Sequence, residues 1–247
     1  MDPGMQKQDR APGSSSHPRS PSKKAKPGPI FIDCETTGLD PSIHEILEIA
    51  CIRSCLPGEQ PSMDQHPDRG LTALPGLAVY WRRFLPQRLD LAEPKALEIN
   101  GYNEEGWKGS RPFEVHAESL AAFLDRGILA GHNVFFDLGF LQASLARTGQ
   151  KLPSGMRLDT CSVAYTLLAP MGETAFHLHH LAKRMKVDQR DAHSALDDAR
   201  VAREIWQKMA WAGAAERARW QIEIWKDQVK SWRRFAHSST TETSRPA

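Results

Sequence analysis

The sequence predicts an α/β domain, a mixed β-sheet flanked by α-helices. Two-residue alternation of apolar side chains marks three strands in the first part of the body, at "PIFIDCETTGL", "HEILEIACIRS" and "LAVYWRRFL". A short apolar run, "GILAGHN", stands between two helical patterns, as a buried strand does. Helical periodicity dominates from there on. Three strands, helix, strand and then helices is the order of a sheet covered by helices.

Taken in order, residues 1 to 29 hold six Pro, three Gly and five Ser. Such a segment cannot bury enough apolar surface to offset its ordering entropy, so 1–28 is expected to be a disordered, basic, solubilising tail. Its six Lys/Arg against two Asp make +4, which leaves about −2 of the overall +2 for the body. The body therefore lacks a global basic field, and any contact with nucleic acid has to be local or metal-mediated. In the first strand Ile30, Ile32 and Cys34 alternate with Phe31, Asp33 and Glu35. Residues 57 to 76, rich in Pro, Gly and Asp, read as a long surface loop between the second and third strands. "PKALEIN" and "FEVHAESLAAFLDR" are helix candidates. "FFDLGFLQASLARTG" is helical and stops at Gly149, a residue suited to the position after a helix end. Further helical patterns lie near 159–169, 176–186 and 195–210, with Asp159 as a cap. Residues 29–210 thus form the main domain.

The C-terminal segment has its own period. Trp211, Ala215, Ala218, Ile222, Trp225, Val229 and Trp232 are spaced 4-3-4-3-4-3, a heptad stripe on a basic helix over 211–235. The stripe is expected to pack back on the domain, the alternative being a partner or self-association helix. Residues 236–247 read as a frayed end.

The chain has 247 residues, 40% of them hydrophobic and 25% charged, which suits a soluble globular protein. No stretch is long enough to span a bilayer, and no apolar run follows the basic N-terminus, so neither a membrane association nor a secretory leader is expected. Cys34, Cys51, Cys55 and Cys161 lack the density of a disulfide framework; they are expected to be reduced thiols in a cytoplasmic protein.

Three placements of carboxylates conflict with their surroundings. Asp33 and Glu35, two apart, share one face of a largely apolar strand. Two neighbouring carboxylates repel each other and resist desolvation, a conflict that a divalent cation resolves. Mg²⁺ and Mn²⁺ prefer carboxylate oxygen. A strand end exposed to water is the plainer explanation of DxE alone. Asp137 falls among Phe135, Phe136, Leu138, Phe140 and Leu141 and aligns with Leu141 and Leu145 on an apolar stripe. It lies too deep to cap its own helix, a job available to Asn133. The third place is "HSALDDA". At 100° per residue, Asp198 falls on the apolar side with Ala195, Ala199, Val201, Ala202, Ile205 and Met209, whereas Asp197 falls on the polar side. Ser194 as N-cap with Asp197 at N3 would make a capping box, giving Asp197 a structural duty. His193 then precedes the helix, from where it can swing over the helix start and stand near Asp198 as a base.

The succession "FIDCETTGL", "HNVFFDLGFL" and "HSALDDA" resembles the DEDD-type 3′→5′ exonucleases of the histidine subclass, most closely the proofreading (epsilon) type of bacterial DNA polymerase III, over about residues 29 to 210. The resemblance implies a ribonuclease H-like fold and two divalent cations, Mg²⁺ or Mn²⁺, held by Asp33, Glu35, Asp137 and Asp198. It assigns the cation on the side of the attacking water to Asp33, Glu35 and Asp198, with Asp33 shared and Asp137 reaching the second. His193 becomes the general base. The implied reaction is removal of nucleoside 5′-monophosphates from single-stranded or frayed DNA 3′ ends, in proofreading, repair or processing. Thr36, Thr37 and Gly38 would line the terminal nucleotide, Leu39 would wedge against its base and Phe136 would stack on it. His132 and Asn133 lie nearby, with capping and packing as an equal explanation. A polymerase contact or self-association through 211–235 is the implied protein partnership.

Three rivals remain on sequence grounds. An RNA-trimming relative would share every motif. A non-catalytic module of the same fold, recruiting a partner through 211–235, would not need buried carboxylates. A zinc site from His177, His179, His180 and Cys161 lacks supporting ligand spacing, and helical packing is the expectation for these histidines.

Overall fold

A computed structural model describes residues 28–55, 76–125, 127–191 and 193–242, with side chains through 231. The tail expected at 1–28, except Gly28, and nearly all of the 57–76 loop lie outside the described residues, as do 243–247. The strands are β1 (Pro29–Thr36), β2 (Ile46–Ser54), β3 (Leu77–Arg83), β4 (Ile128–Gly131) and β5 (Arg157–Asp159). The helices are α1 (Pro94–Ile99), α2 (Phe113–Leu124), α3 (Val134–Arg147), α4 (Thr160–Leu168), α5 (Leu178–Met185), α6 (Ala195–Trp211) and α7 (Ala214–Glu242).

The sheet order is β3-β2-β1-β4-β5. β1, β2 and β3 pair antiparallel, and β4 and β5 add in parallel to β1, so the sheet is mixed as predicted. β5 was not expected. Three residues are too few to show a period, and only pairing with β4 makes them a strand. Gly149 does end α3: it adopts φ 74°, and the Gln150 amide donates to the Leu145 carbonyl.

The alternation in β1 divides the molecule. Ile30, Ile32 and Cys34 point into a core formed with α2 and α3, through Leu120, Leu124, Leu138 and Leu141. Phe31 and its same-face neighbours point the other way, toward α6. Alanines at 195, 199 and 202 let α6 lie close on that face, against Ala50, Ile52, Val79, Trp81 and Phe31. A second core gathers α4, α5, α6 and α7 around Leu181, Met185, Ile205 and Trp220.

α7 does pack back on the domain, but not through the heptad stripe. Its buried contacts are Trp220 and Ile224, reinforced by Gln221 and Gln228 donating to the carbonyls of Met171 and Gly172. Trp211 is 81% exposed, Ile222 52% and Trp225 60%. At 100° per residue Trp220 and Ile224 lie nearly opposite Ile222, so the helix carries two apolar faces and the less regular one is used. The helix also continues to Glu242, past the point at which fraying was expected.

Candidate active site

Parallel pairing of β1 with β4 covers only Pro29–Phe31, because β4 ends at Gly131 and the chain turns into α3. The backbone of β1 beyond Phe31 therefore lacks its strand partner on that side. Asp137, in the first turn of α3, takes the place: the Cys34 amide donates to its Oδ1 at 2.9 Å. A buried amide needs an acceptor, and Asp137 supplies it while bringing a carboxylate to the same edge as Asp33.

Asp33 and Glu35 leave β1 on the face covered by α6. Asp198 in the first turn of α6 meets them there, and ligand oxygens of Asp33, Glu35 and Asp198 all lie within 4.8 Å of one another. It is the one such group of possible ligands among the described residues, so His177, His179, His180 and Cys161 form no metal cluster there. His177 caps α5, His179 pairs with Gln189, and His180 with Glu173.

The electrostatics agree with the geometry. Burial, then the neighbouring Asp137, Glu35 and Asp198, push Asp33 well above the ordinary carboxylate range. Burial and Asp198 push Glu35 up to about 8. Burial raises Asp137 to about 8 against the opposing Cys34 amide. Asp198 is raised by burial, although Gln189 and the His193 amide counteract it. Oxygen donors that cannot all ionise without a countercharge fit a hard divalent cation.

Asp198 is held at both oxygens. Gln189 Nε2 donates to Oδ1 at 2.8 Å and the His193 amide to Oδ2 at 3.3 Å. His193 sits at φ 64°, a left-handed backbone uncommon outside glycine. It is exposed, and it lines a cleft of about 350 Å³ with Arg83, Asn100, Asn103 and Trp107. It thus lies just ahead of α6, as expected, with its main chain against the Asp198 carboxylate.

Asp197 requires a correction. It is 9% exposed rather than on the water side, and Ser194 makes no side-chain cap. The Asp197 carboxylate accepts from the amides of Arg190 and Asp191 and from Arg200 at 2.6 Å. Its duty is structural, but it fixes the loop before α6 rather than the helix end. The loop folds back over the polar face of α6, which a helical wheel cannot show.

The wheel and strand arguments also missed Glu48. It stands opposite Glu35 in the β1–β2 register and is 4% exposed. Its carboxylate accepts from Trp81 Nε1 at 2.9 Å, Arg83 Nε at 3.0 Å and the Ala195 amide at 3.2 Å. It ties the start of α6 to β2 and β3, and so sets where Asp198 stands. An acid within the apolar run "ILEIACI" was the available signal.

The turn after β1 is self-braced. Thr36 Oγ1 donates to the Gly38 carbonyl, Thr37 Oγ1 accepts from the Glu45 amide, and Asn100 donates to the Thr36 carbonyl. The buried His44 ring covers Gly38 so closely that a Cβ there would meet it at 2.4 Å. Leu39 projects from this turn, 73% exposed. Phe136 is half-buried against Phe140, whereas Phe135 is 63% exposed. His132 is engaged at both ring nitrogens, by Thr160 and the Phe176 carbonyl. Asn133 has φ 61° and makes no side-chain cap; Asp159 instead accepts from the amides of Asn133 and Val134 while capping α4 at Ser162. Packing engages the His132 ring, whereas the exposed Asn133 side chain makes no cap.

The chain is 26% identical over 177 residues to the DNA polymerase III subunit epsilon of Treponema pallidum, covering 72% of this chain and 74% of that one. It is 26% identical over 181 residues to the PolC-type DNA polymerase III of Thermotoga maritima, covering 72% of this chain but 11% of the relative. To the 3′-5′ exonuclease DinG of Bacillus subtilis it is 27% identical over 175 residues, 70% of this chain and 16% of that one. The chain thus spans about a tenth of the PolC-type relative and most of the epsilon subunit. Among solved structures, E. coli exonuclease I in complex with a dT13 oligonucleotide superimposes with a TM-score of 0.53 at 19% identity, over 74% of this chain and 40% of that one. Cell-death related nuclease 4 gives 0.57 at 13%, over 75% and 64%. These likenesses bear out the ribonuclease H-like fold. The family model RNase T, described as exonuclease, matches residues 30–69 and 83–206, and the chain belongs to that exonuclease family.

Proposed function

We propose that the chain is a metal-dependent 3′→5′ exonuclease that releases nucleoside 5′-monophosphates from single-stranded or frayed DNA ends. The observation that carries this reading is the convergence of Asp33, Glu35 and Asp198 from β1 and α6 within 4.8 Å. Asp33, Glu35 and Asp198 would hold one divalent cation, Mg²⁺ or Mn²⁺, and Asp137 with Asp33 would serve a second. When bound, the cations offset the carboxylate charge and polarise the phosphodiester. His193, exposed on a cleft with Glu48 and with its amide on Asp198, accepts the proton of the attacking water. The Gln189 and His193 amide contacts keep Asp198 aimed at the cluster. Thr36, Thr37, Gly38 and Leu39 form the turn against which the terminal nucleotide rests, with Leu39 free to wedge against a base. Phe136, with the more exposed Phe135 beside it, offers a stacking surface that tolerates any base. The likenesses to an epsilon subunit and to DinG support work in replication proofreading or repair, alone or with a polymerase, and the exposed Trp211, Ile222 and Trp225 are a surface available for such a partner.

The test uses single-stranded DNA and RNA labelled at either end, incubated with Mg²⁺ or Mn²⁺. Wild type should shorten DNA stepwise from the 3′ end, and Asp198→Asn should lose more than the roughly 10- to 100-fold that removing a partner of a metal ligand costs. Faster shortening of RNA than DNA would reassign the substrate. Absence of metal-dependent release on both would refute the reading.

A further inference from the structure

α5 and α7 enclose a cleft of about 470 Å³, with Lys186 at the start of the loop that carries Gln189 and His193. Lys183 and Lys186 stand on one wall, Lys226 and Lys230 on the other, all exposed. The acids beside them are largely engaged. Asp227 pairs with Arg184 at 3.0 Å and with Lys230 at 3.7 Å; Glu173 pairs with Arg184 and His180. Glu223 also lines the cleft. Among the described residues Lys183, Lys186 and Lys226 have no ion-pair partner. The Arg184–Asp227 bridge pins α7 to α5, so the walls are fixed. A helix C-terminus favours cations, which accounts for Lys183 and Lys186. It does not account for Lys226 and Lys230, which lie in mid-helix. Lys186 moreover holds φ 56°, a position that usually goes to Gly or Asn.

We propose that this cleft is a phosphate-binding track for the nucleic-acid strand whose 3′ end enters the carboxylate site, an inference that rests on the exonuclease reading above. The cleft and the site share one loop. Lys186 is three residues from Gln189, a backbone reach of roughly 11 Å at most. Gln189 bridges His179 on α5 to Asp198. A body with a slight negative charge needs a local cationic path to hold a polyanion, and these lysines supply one that begins three residues from Gln189. The α7 wall lies beyond residue 206, where the family match ends.

The test is fluorescence anisotropy in EDTA, where no cleavage occurs, with an oligothymidylate of about 12 nucleotides, a common single-strand site size. The variant is Lys183→Ala/Lys186→Ala/Lys226→Ala. These side chains are exposed and unpaired, so the variant should stay folded, with only the small fall in melting temperature expected for two charges lost at a helix C-terminus. Its affinity should fall about tenfold at low salt. The slope of log affinity against log salt should decrease by about two, at ~0.7 per phosphate lost. Hydrolysis of the p-nitrophenyl ester of thymidine 5′-monophosphate with Mn²⁺, which has no upstream strand, should be unchanged. Unaltered affinity and slope would overturn the track. So would competition by decaglutamate as strong as by unlabelled oligonucleotide, which would make the cleft a surface for acidic protein. Failure of wild type to hydrolyse either ester or DNA, with binding still lysine-dependent, would remove the exonuclease reading and leave the track.

Discussion

At the scale of the residue, buried carboxylates divide into those that repel one another and those that are satisfied. Asp33, Glu35, Asp137 and Asp198 crowd together with raised pKa values. Asp197 and Glu48 are buried as deeply, yet each has an arginine and backbone amides. Removing a satisfied acid orphans its donors: Asp197→Ala strands the Arg190 and Asp191 amides, although Arg200 keeps Glu204. It is therefore expected to cost about 2–3 kcal/mol, the upper range for leaving buried donors unpaired, in a urea titration. A loss under about 1 kcal/mol would return Asp197 to the helix-end role that the wheel suggested. Glu48→Ala should cost about as much and weaken Mn²⁺ binding measured by calorimetry, because the start of α6 loses its tether at Ala195. Unchanged Mn²⁺ affinity would mean that Glu48 is only structural. The site's acids were legible as acids in apolar surroundings. Most of the partners that separate the two classes were not, since Arg83 and the 190–191 amides arrive through tertiary folding, whereas Arg200 stands three residues along the same helix from Asp197.

At the scale of the element, α6 and α7 show where periodicity informs and where it misleads. On α6 the apolar stripe is the buried stripe, because the alanines match a flat sheet face. On α7 the more regular stripe is the exposed one. Periodicity shows that a face is apolar but not which neighbour covers it, and here the pocket left by Leu181, Met185 and Met209 takes Trp220. Trp220→Ala should cost about 3–5 kcal/mol in chemical denaturation. Trp225→Ala should lie within about 0.5 kcal/mol of wild type, as surface changes do. Equal losses at the two positions would show that the outer stripe is also covered. β5 escaped notice for the complementary reason, being defined by a partner strand and not by a pattern of its own.

At the scale of the whole molecule, the site is an electrostatic load that the fold carries until a cation relieves it. The succession of strands and helices was legible along the chain, but the order β3-β2-β1-β4-β5 rests on pairings between distant segments, and so does the meeting of Cys34 with Asp137. This juxtaposition creates a pH dependence that no single segment would have. In the metal-free protein Glu35 and Asp137 keep their protons up to about pH 8, and Asp33 and Asp198 are shifted the same way. In the unfolded chain all four ionise near pH 4. Between those limits the folded state binds more protons than the unfolded one, so this contribution is complete below about pH 4 and is lost as pH rises toward 8. The trend is opposed on the acid side by Asp40, Asp159 and Glu173, whose pKa values are lowered, and near neutrality by the single group His132, which burial holds below its ordinary value. Metal-free protein should therefore melt at a lower temperature at pH 8 than at pH 5. Mg²⁺ must displace those protons, so it binds more tightly as pH rises and stabilises the fold in proportion to its occupancy. The Mg²⁺-induced rise in melting temperature should accordingly be larger at pH 8 than at pH 5, and Asp33→Asn should abolish most of the difference. A rise that is the same at both values would mean that the four carboxylates are already ionised without metal, and the burial argument for the cation site would fail.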